Sequence, residues 1–316
     1  MQTAHRQRLY SWLGLALMLT ASAFFVRYAI NNWAALPLGL WHAALLPALL
    51  GATGGYLLTF VVTGFAWQRL LKGFGESATL AQAVVIGLLS QFAKYLPGNV
   101  GQHVGRAVLA HRAGWRKAAI GLSMVLELLL VLLAAMLSIL MAIVANSSFA
   151  PNSSLLAQIL GITALVCLPL LVLLRYVDPL LRKLASLMPA IGPISLKRPP
   201  LPQLLWCLLL YTGNFLLLGA ILWLLAMQLG SGAAANFWLL TGSFALAWVA
   251  GFVTPGAPAG LGIRETIMVT LLEPAYGPGA ALSLALLLRL ITSLGDALAF
   301  LAGLWLNRRQ RSRTPA

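Results

Sequence analysis

The sequence predicts an all-α, polytopic membrane protein with six full transmembrane helices and two re-entrant helical hairpins arranged as inverted repeats. Of its 316 residues, 60% are hydrophobic and 9% charged, and the mean hydropathy is +0.90, a balance that a water-facing surface does not accommodate. The charges fall in short clusters between long apolar runs. Two of the apolar regions are interrupted by Pro/Gly segments that carry cations.

A hydrocarbon core of roughly 30 Å needs about 20 apolar residues in helix. Runs of that length, bounded by charge, are Leu9 to Val26, Ala43 to Trp67, Ala118 to Ala145, Leu155 to Leu174, Leu204 to Leu229 and Ala280 to Leu306. Trp or Tyr near several of their ends suits interfacial anchoring. The first run follows His5, Arg6 and Arg8 and contains Ala21-Ser22-Ala23, so a cleaved signal peptide comes into question. Its apolar stretch exceeds the about 7 to 15 residues of a signal core, and it is read as an uncleaved anchor.

The broken regions run from Leu80 to Arg116 and from Asn236 to Glu273. Their breaks read Lys94-Tyr95-Leu96-Pro97-Gly98-Asn99-Val100-Gly101-Gln102-His103-Val104-Gly105-Arg106 and Thr254-Pro255-Gly256-Ala257-Pro258-Ala259-Gly260-Leu261-Gly262-Ile263-Arg264-Glu265. Irregular backbone at membrane depth needs protein or a water-filled cavity to satisfy its free N–H and C=O groups. Two re-entrant hairpins, with Pro97, Gly98, Gly101, Pro255, Gly256, Gly260 and Gly262 as hinges, meet that need.

The distribution of Lys and Arg favours hairpins over single crossings. With two hairpins, sixteen cations are cytoplasmic: Arg6, Arg8, Arg69, Lys72, Arg112, Arg116, Lys117, Arg175, Arg182, Lys183, Lys197, Arg198, Arg308, Arg309, Arg311 and Arg313. Arg27 alone faces the other side. If each broken region crossed once, the eight from Arg112 to Arg198 would move outside. Both termini are thereby expected in the cytoplasm, with the chain in a bacterial cytoplasmic membrane.

Each half then runs span, span, hairpin, span, from opposite sides. Pro97 precedes Arg106, and Pro255 precedes Arg264, by nine residues, and the two prolines lie 158 apart, half of 316. Residues 1–146 and 154–316 are expected to be the inverted repeats, joined by the polar stretch Asn146 to Ser154.

Four cations remain at membrane depth, Lys94, Arg106, Arg264 and Arg289, together with Glu127, Glu265 and Asp296. A charge near the bilayer centre costs about 2.5–3.5 kcal/mol on insertion scales, so these groups are expected to face a cavity or one another. Pairing as structural glue is the plain reading for any one of them. As a set they suggest anion binding: half-helix amino ends expose N–H groups, and glycine lets an anion approach the backbone. Lys94, Arg106 and the helix start near Gly101 would form one pocket, with Asn99, Gln102 and His103 as neutral partners. Arg264 with Gly260 and Gly262 would form the other, and Arg289 joins the substrate-binding set. Glu127, Glu265 and Asp296 would balance or gate the charges, Glu127 by neutralising Arg106 or binding a coupling proton. Asp296 lies seven residues beyond Arg289, about 10 Å along the axis, so each is expected to pair with another helix.

No catalytic signature, no metal-ligand spacing around His103 and no cofactor fingerprint is found, and Cys167 and Cys207 lie inside apolar runs without a C-x-x-C pattern. The basic residues form no continuous face for nucleic acid. The chain is not expected to be an enzyme.

The Lys94-Tyr95-Leu96-Pro97-Gly98 segment with Arg106, and the Gly260-Leu261-Gly262-Ile263-Arg264-Glu265 block, resemble the lysylphosphatidylglycerol synthase transmembrane-region family from roughly Ser11 to Leu306. The resemblance implies a flippase-like bundle that moves a lipid head group between leaflets. In two-domain relatives this unit precedes a soluble aminoacyl-transferase domain; the chain given stops at Ala316, so the synthase activity does not carry over. Members often have further glycines and an acidic residue around Asn99, Gln102 and His103, and a second Gly where Ala259 stands. The expected function is translocation of an anionic phospholipid or polyprenyl-phosphate-linked lipid. The alternatives are a transporter of a small soluble anion or ion and an intramembrane glycosyl or acyl transferase.

Overall fold

The computed structural model describes residues 45–95, 101–145, 199–230, 235–254 and 258–313, with scattered helical positions between residues 23 and 31. Every regular element among the described residues is helical. In chain order they are α1 (Leu45–Gly73), α2 (Leu80–Gln91), α3 (Gly101–Arg112), α4 (Lys117–Ala145), α5 (Leu201–Gln228), α6 (Phe237–Val253) and α7 (Ile263–Arg313). Short 3-10 turns, Phe92–Tyr95 and Pro258–Gly260, follow α2 and α6.

Among the described residues, four helices are long and apolar enough to cross a membrane: α1, α4, α5 and α7. They match four of the six expected spans. The expected spans Leu9 to Val26 and Leu155 to Leu174 lie outside the described residues, apart from the scattered positions, as do the joint Asn146 to Ser154 and Pro97, Gly98, Asn99, Pro255 and Gly256. α7 is continuous in hydrogen bonding but bends at Gly277, whose φ of 76° and ψ of 164° are non-helical, between Pro274 and Pro278. Proline removes a backbone donor and crowds the preceding turn, and a glycine at positive φ absorbs the change of direction. The expected boundary between the second broken region and the last span, at residues 273–280, thus falls on this bend.

The shorter helices have local causes. Thr79 and Gln82 form a reciprocal capping box at the start of α2, and Asn236 caps α6 by accepting from the Leu239 N–H at 3.0 Å; both satisfy donors that a helix start leaves free. With 12 residues each, α2 and α3 reach only about 18 Å, short of the roughly 30 Å core.

Two chain excursions close on themselves. Arg116 at the start of α4 donates from Nε to Glu76 Oε1 at 2.6 Å, forty residues back, and to the Phe74 carbonyl at 2.9 Å. The segment containing α2 and α3 therefore leaves and returns to the same place. In the second half the Asn236 N–H donates to the Tyr276 hydroxyl at 2.8 Å, again across forty residues. α6 and the first arm of α7 lie between these two points.

The closures sit at opposite ends of the bundle. α1 and α5 run antiparallel: the Gln203 amide meets the Arg69 carbonyl, Asn214 donates to the Thr63 hydroxyl at 3.0 Å, and Ile221 covers Gly55. α5 consequently starts beside the end of α1, near Glu76, and ends at the far side. There the Trp223 indole donates to the Ala235 carbonyl at 3.2 Å, which starts the second excursion. The second arm of α7 runs back along α2, with Asp296 against Lys94, Phe300 against Phe92 and Gly303 against Leu88 and Leu89. One end of the bundle thereby gathers Arg69, Lys72, Arg112, Arg116, Lys117, Arg308 and Arg309, while the described residues 229, 230, 235, 236 and 273–280 at the other contain no Lys or Arg.

Candidate functional site

The tips of the two excursions meet in mid-bundle, where their 3-10 turns touch. A cavity of about 280 Å³ opens there, lined by Lys94, Gln102, His103 and Arg106 from the first excursion and by Ala259, Gly260 and Arg264 from the second. Instead of the two pockets expected, one space receives both sets of cations. The reason is that the 3-10 turns at the two tips touch.

Each first-excursion cation holds a carboxylate. Lys94 Nζ lies 2.6 Å from Asp296 Oδ2, and Asp296 is 1% exposed. The Tyr56 hydroxyl donates to Asp296 Oδ1 at 2.8 Å, and Tyr56 lies flat enough against α7 that any side chain at Gly295 would strike its ring. Arg106 Nη1 lies 2.7 Å from Glu127 Oε2, while its guanidinium stacks at 3.7 Å on Trp67. Trp67 is itself pinned by its N–H to the Ser123 hydroxyl at 3.0 Å, one turn before Glu127. The stack and the ion pair hold the Arg106 guanidinium from two sides.

The second tip is built differently. Glu265 Oε2 accepts the Gly262 N–H at 2.8 Å, and its Oε1 lies 3.3 Å from Arg289 Nη1, joining the two arms of α7 across the Gly277 bend. The helix start expected to attract an anion thus already holds a carboxylate of its own chain. The open backbone of Gly260, expected to admit a ligand, instead faces the side chain of Arg264: a Cβ there would lie 2.8 Å from Arg264 Nε, and one at Gly251 would lie 2.7 Å from Arg264 Cγ. Glycine at these positions makes the channel through which the arginine reaches the cavity. Gly260 and Gly262 have φ of 69° and 79°, and Ala259 has φ of 53°, so the turn has three left-handed residues within four positions and one of them is not glycine. Gly101 is helical, in the first turn of α3.

Arg264 has no ion-pair partner among the described residues, and its buried Nε has no hydrogen-bond partner. Its guanidinium lies 5.9 Å from the Trp248 ring centre. Arg289 does not line the main cavity; it faces a smaller one that shares Arg264, Phe244 and Thr292 with it.

Sequence reasoning missed the polar residues contributed by α1 and α5. Tyr56, Thr59 and Thr63 from α1, and Tyr211 and Asn214 from α5, line the cavity. Their spacings of three, four and three residues put each set on one helix face, a signal that was present inside the apolar runs. Asn214 Oδ1 and Arg106 Nε are buried without hydrogen-bond partners among the described residues, and the buried Tyr211 hydroxyl lies beside the Glu127 carboxylate. Among the apolar side chains of the lining are Phe60, Phe215, Phe244, Trp248 and Phe252. Trp248 stacks on Phe252 at 5.3 Å and takes the edge of Phe215 at 5.5 Å.

A helical bundle with four membrane-length helices and a cavity ringed by buried charge defines an integral membrane protein. The family model described as the lysylphosphatidylglycerol synthase TM region matches residues 11–299, and the chain belongs to that family. No curated protein matches the sequence.

Proposed function

We propose that this protein is a lipid translocase of the bacterial cytoplasmic membrane, with both termini in the cytoplasm, and that its two excursions are re-entrant hairpins of inverted repeats. The head group of an anionic lipid, a phospholipid or a polyprenyl-phosphate-linked molecule, occupies the cavity while its acyl chains stay in the bilayer. The observation that carries this reading is a cavity whose lining combines buried donors without partners among the described residues, Arg106 Nε and Arg264 Nε, with the aromatic side chains of Phe60, Phe215, Phe244, Trp248 and Phe252. An amphiphile satisfies both kinds of group, whereas a small soluble anion satisfies only the donors. The two closures at opposite ends support the inverted hairpins, and the basic clustering at one end supports the orientation. Glu127, Glu265 and Asp296 each hold a cation, which favours transport over a transferase whose base must be free.

Arg264 is the residue on which to test this, because removing it strands no carboxylate. In proteoliposomes carrying a fluorescent anionic lipid, Arg264→Ala is expected to abolish head-group movement while the protein stays monodisperse with an unchanged melting temperature. Movement at the wild-type rate in that variant would overturn the assignment.

A further inference from the structure

The ionisable side chains around the cavity do not cancel. Among the described residues, Lys94 with Asp296, Arg106 with Glu127 and Arg289 with Glu265 make three pairs, and Arg264 remains, so their formal sum is one positive charge. A proton that shifts from one partner to the other inside a pair leaves that sum unchanged. His103, whose Nε2 lies 3.2 Å from the Gln102 amide, is counted as neutral at pH 8, above the ordinary histidine pKa of about 6.5.

Uncompensated charge is costly in a desolvated site, and the best occupant is the one that brings the sum to zero. A neutral or zwitterionic head group leaves the excess positive charge in place. A head group with two negative charges replaces it with an excess of the opposite sign. We infer that the cavity selects head groups carrying a single negative charge, such as phosphodiesters, and admits phosphomonoesters or diphosphates only with added protons. The lone donors agree with one oxyanion as the occupant: Arg106 Nε and Arg264 Nε are buried, without partners among the described residues, on side chains lining this space. At about 280 Å³ the space is near the lower end of ligand pockets, roughly 300–1,000 Å³, which suits a compact head group. The inference rests on the translocase reading for the location of the acyl chains, but charge selection belongs to the cavity itself and is measurable without transport.

The experiment is calorimetric binding of short-chain probes to purified protein in neutral detergent at pH 8, where a phosphomonoester, with its second pKa near about 6, is doubly charged. The probes are dihexanoyl phosphatidylglycerol, dihexanoyl phosphatidic acid and dihexanoyl phosphatidylcholine. Wild-type protein is expected to prefer phosphatidylglycerol to both others by about tenfold or more. Arg264→Gln, which lowers the sum to zero, should lose the preference for phosphatidylglycerol over phosphatidylcholine. Glu127→Gln and Asp296→Asn each raise the sum to two from different sides of the cavity, and both should shift preference to phosphatidic acid. A shift in only one of them, or wild-type affinity that simply rises with probe charge, overturns the inference. Selective binding with no lipid movement in proteoliposomes would overturn the translocase reading and leave charge selection standing.

Discussion

The two excursions share a plan but not an electrostatic state. Both span forty residues, close through side-chain hydrogen bonds and place an arginine nine residues after a proline. In the first, Lys94 and Arg106 each reach a carboxylate on another helix, so the tip is neutralised and braced. In the second, the nearest carboxylate, Glu265, is taken by the Gly262 N–H and by Arg289, which leaves Arg264 to the cavity. Two segments with the same proline-to-arginine spacing thus end differently: the cations of one tip meet carboxylates on other helices, and Arg264 at the other has no ion-pair partner among the described residues.

The most decisive way to break this comparison is accessibility. In a background with Cys167 and Cys207 replaced by serine, Arg112→Cys and Pro274→Cys are expected to label from opposite faces of the membrane, all or none, with a membrane-impermeant maleimide in intact cells and in inverted vesicles. Labelling of both from one face would end the inverted-hairpin reading.

Stability separates the tips next. Glu127→Ala strands Arg106 and Asp296→Ala strands Lys94 in buried surroundings, and each is expected to cost about 3–5 kcal/mol, seen as a large fall in melting temperature in detergent. Arg264→Ala strands nothing and should change the melting temperature little. Equal losses in all three would mean that Arg264 is as structural as the others.

Gly251→Ala sharpens the contrast without touching a charge. The added methyl meets Arg264 Cγ at 2.7 Å, and overpacking of this kind costs about 1–3 kcal/mol. Binding of phosphatidylglycerol should weaken because the arginine is displaced, while Gly105→Ala, where a Cβ meets nothing within 4 Å, leaves binding unchanged. The smallest effect is expected at Ala259, held at a φ of 53°. Left-handed backbone costs a non-glycine residue about 1–2 kcal/mol, offset in part by the greater freedom of glycine in the unfolded chain. Ala259→Gly is therefore expected to raise stability by about 1 kcal/mol or less, as a small upward shift in melting temperature.

Much of the site was legible because charges in apolar sequence are conspicuous. Lys94, Arg106, Arg264, Glu127, Glu265, Arg289 and Asp296 stand out in any hydropathy reading, and all seven lie in or beside one cluster. Their pairing was less legible. Arg289 and Asp296 share a helix face, yet one pairs across the bend at Gly277 and the other across to the first tip, and no spacing along the chain encodes which. Tyr211 and Asn214 were lost among leucines because a lone polar residue in a span is weak evidence until two such faces are seen to converge.

The amino-acid order alone determined the membrane environment, the location of the breaks and the identity of the buried charges, since hydrophobic length, Pro/Gly chemistry and ionisation are properties of short segments. Only the tertiary structure decided which carboxylate each cation meets, that two pockets are one, and that Arg264 is the cation left over. Those outcomes depend on helices distant in sequence approaching within a few ångströms, and the strength of an ion pair in a desolvated bundle is set by that approach.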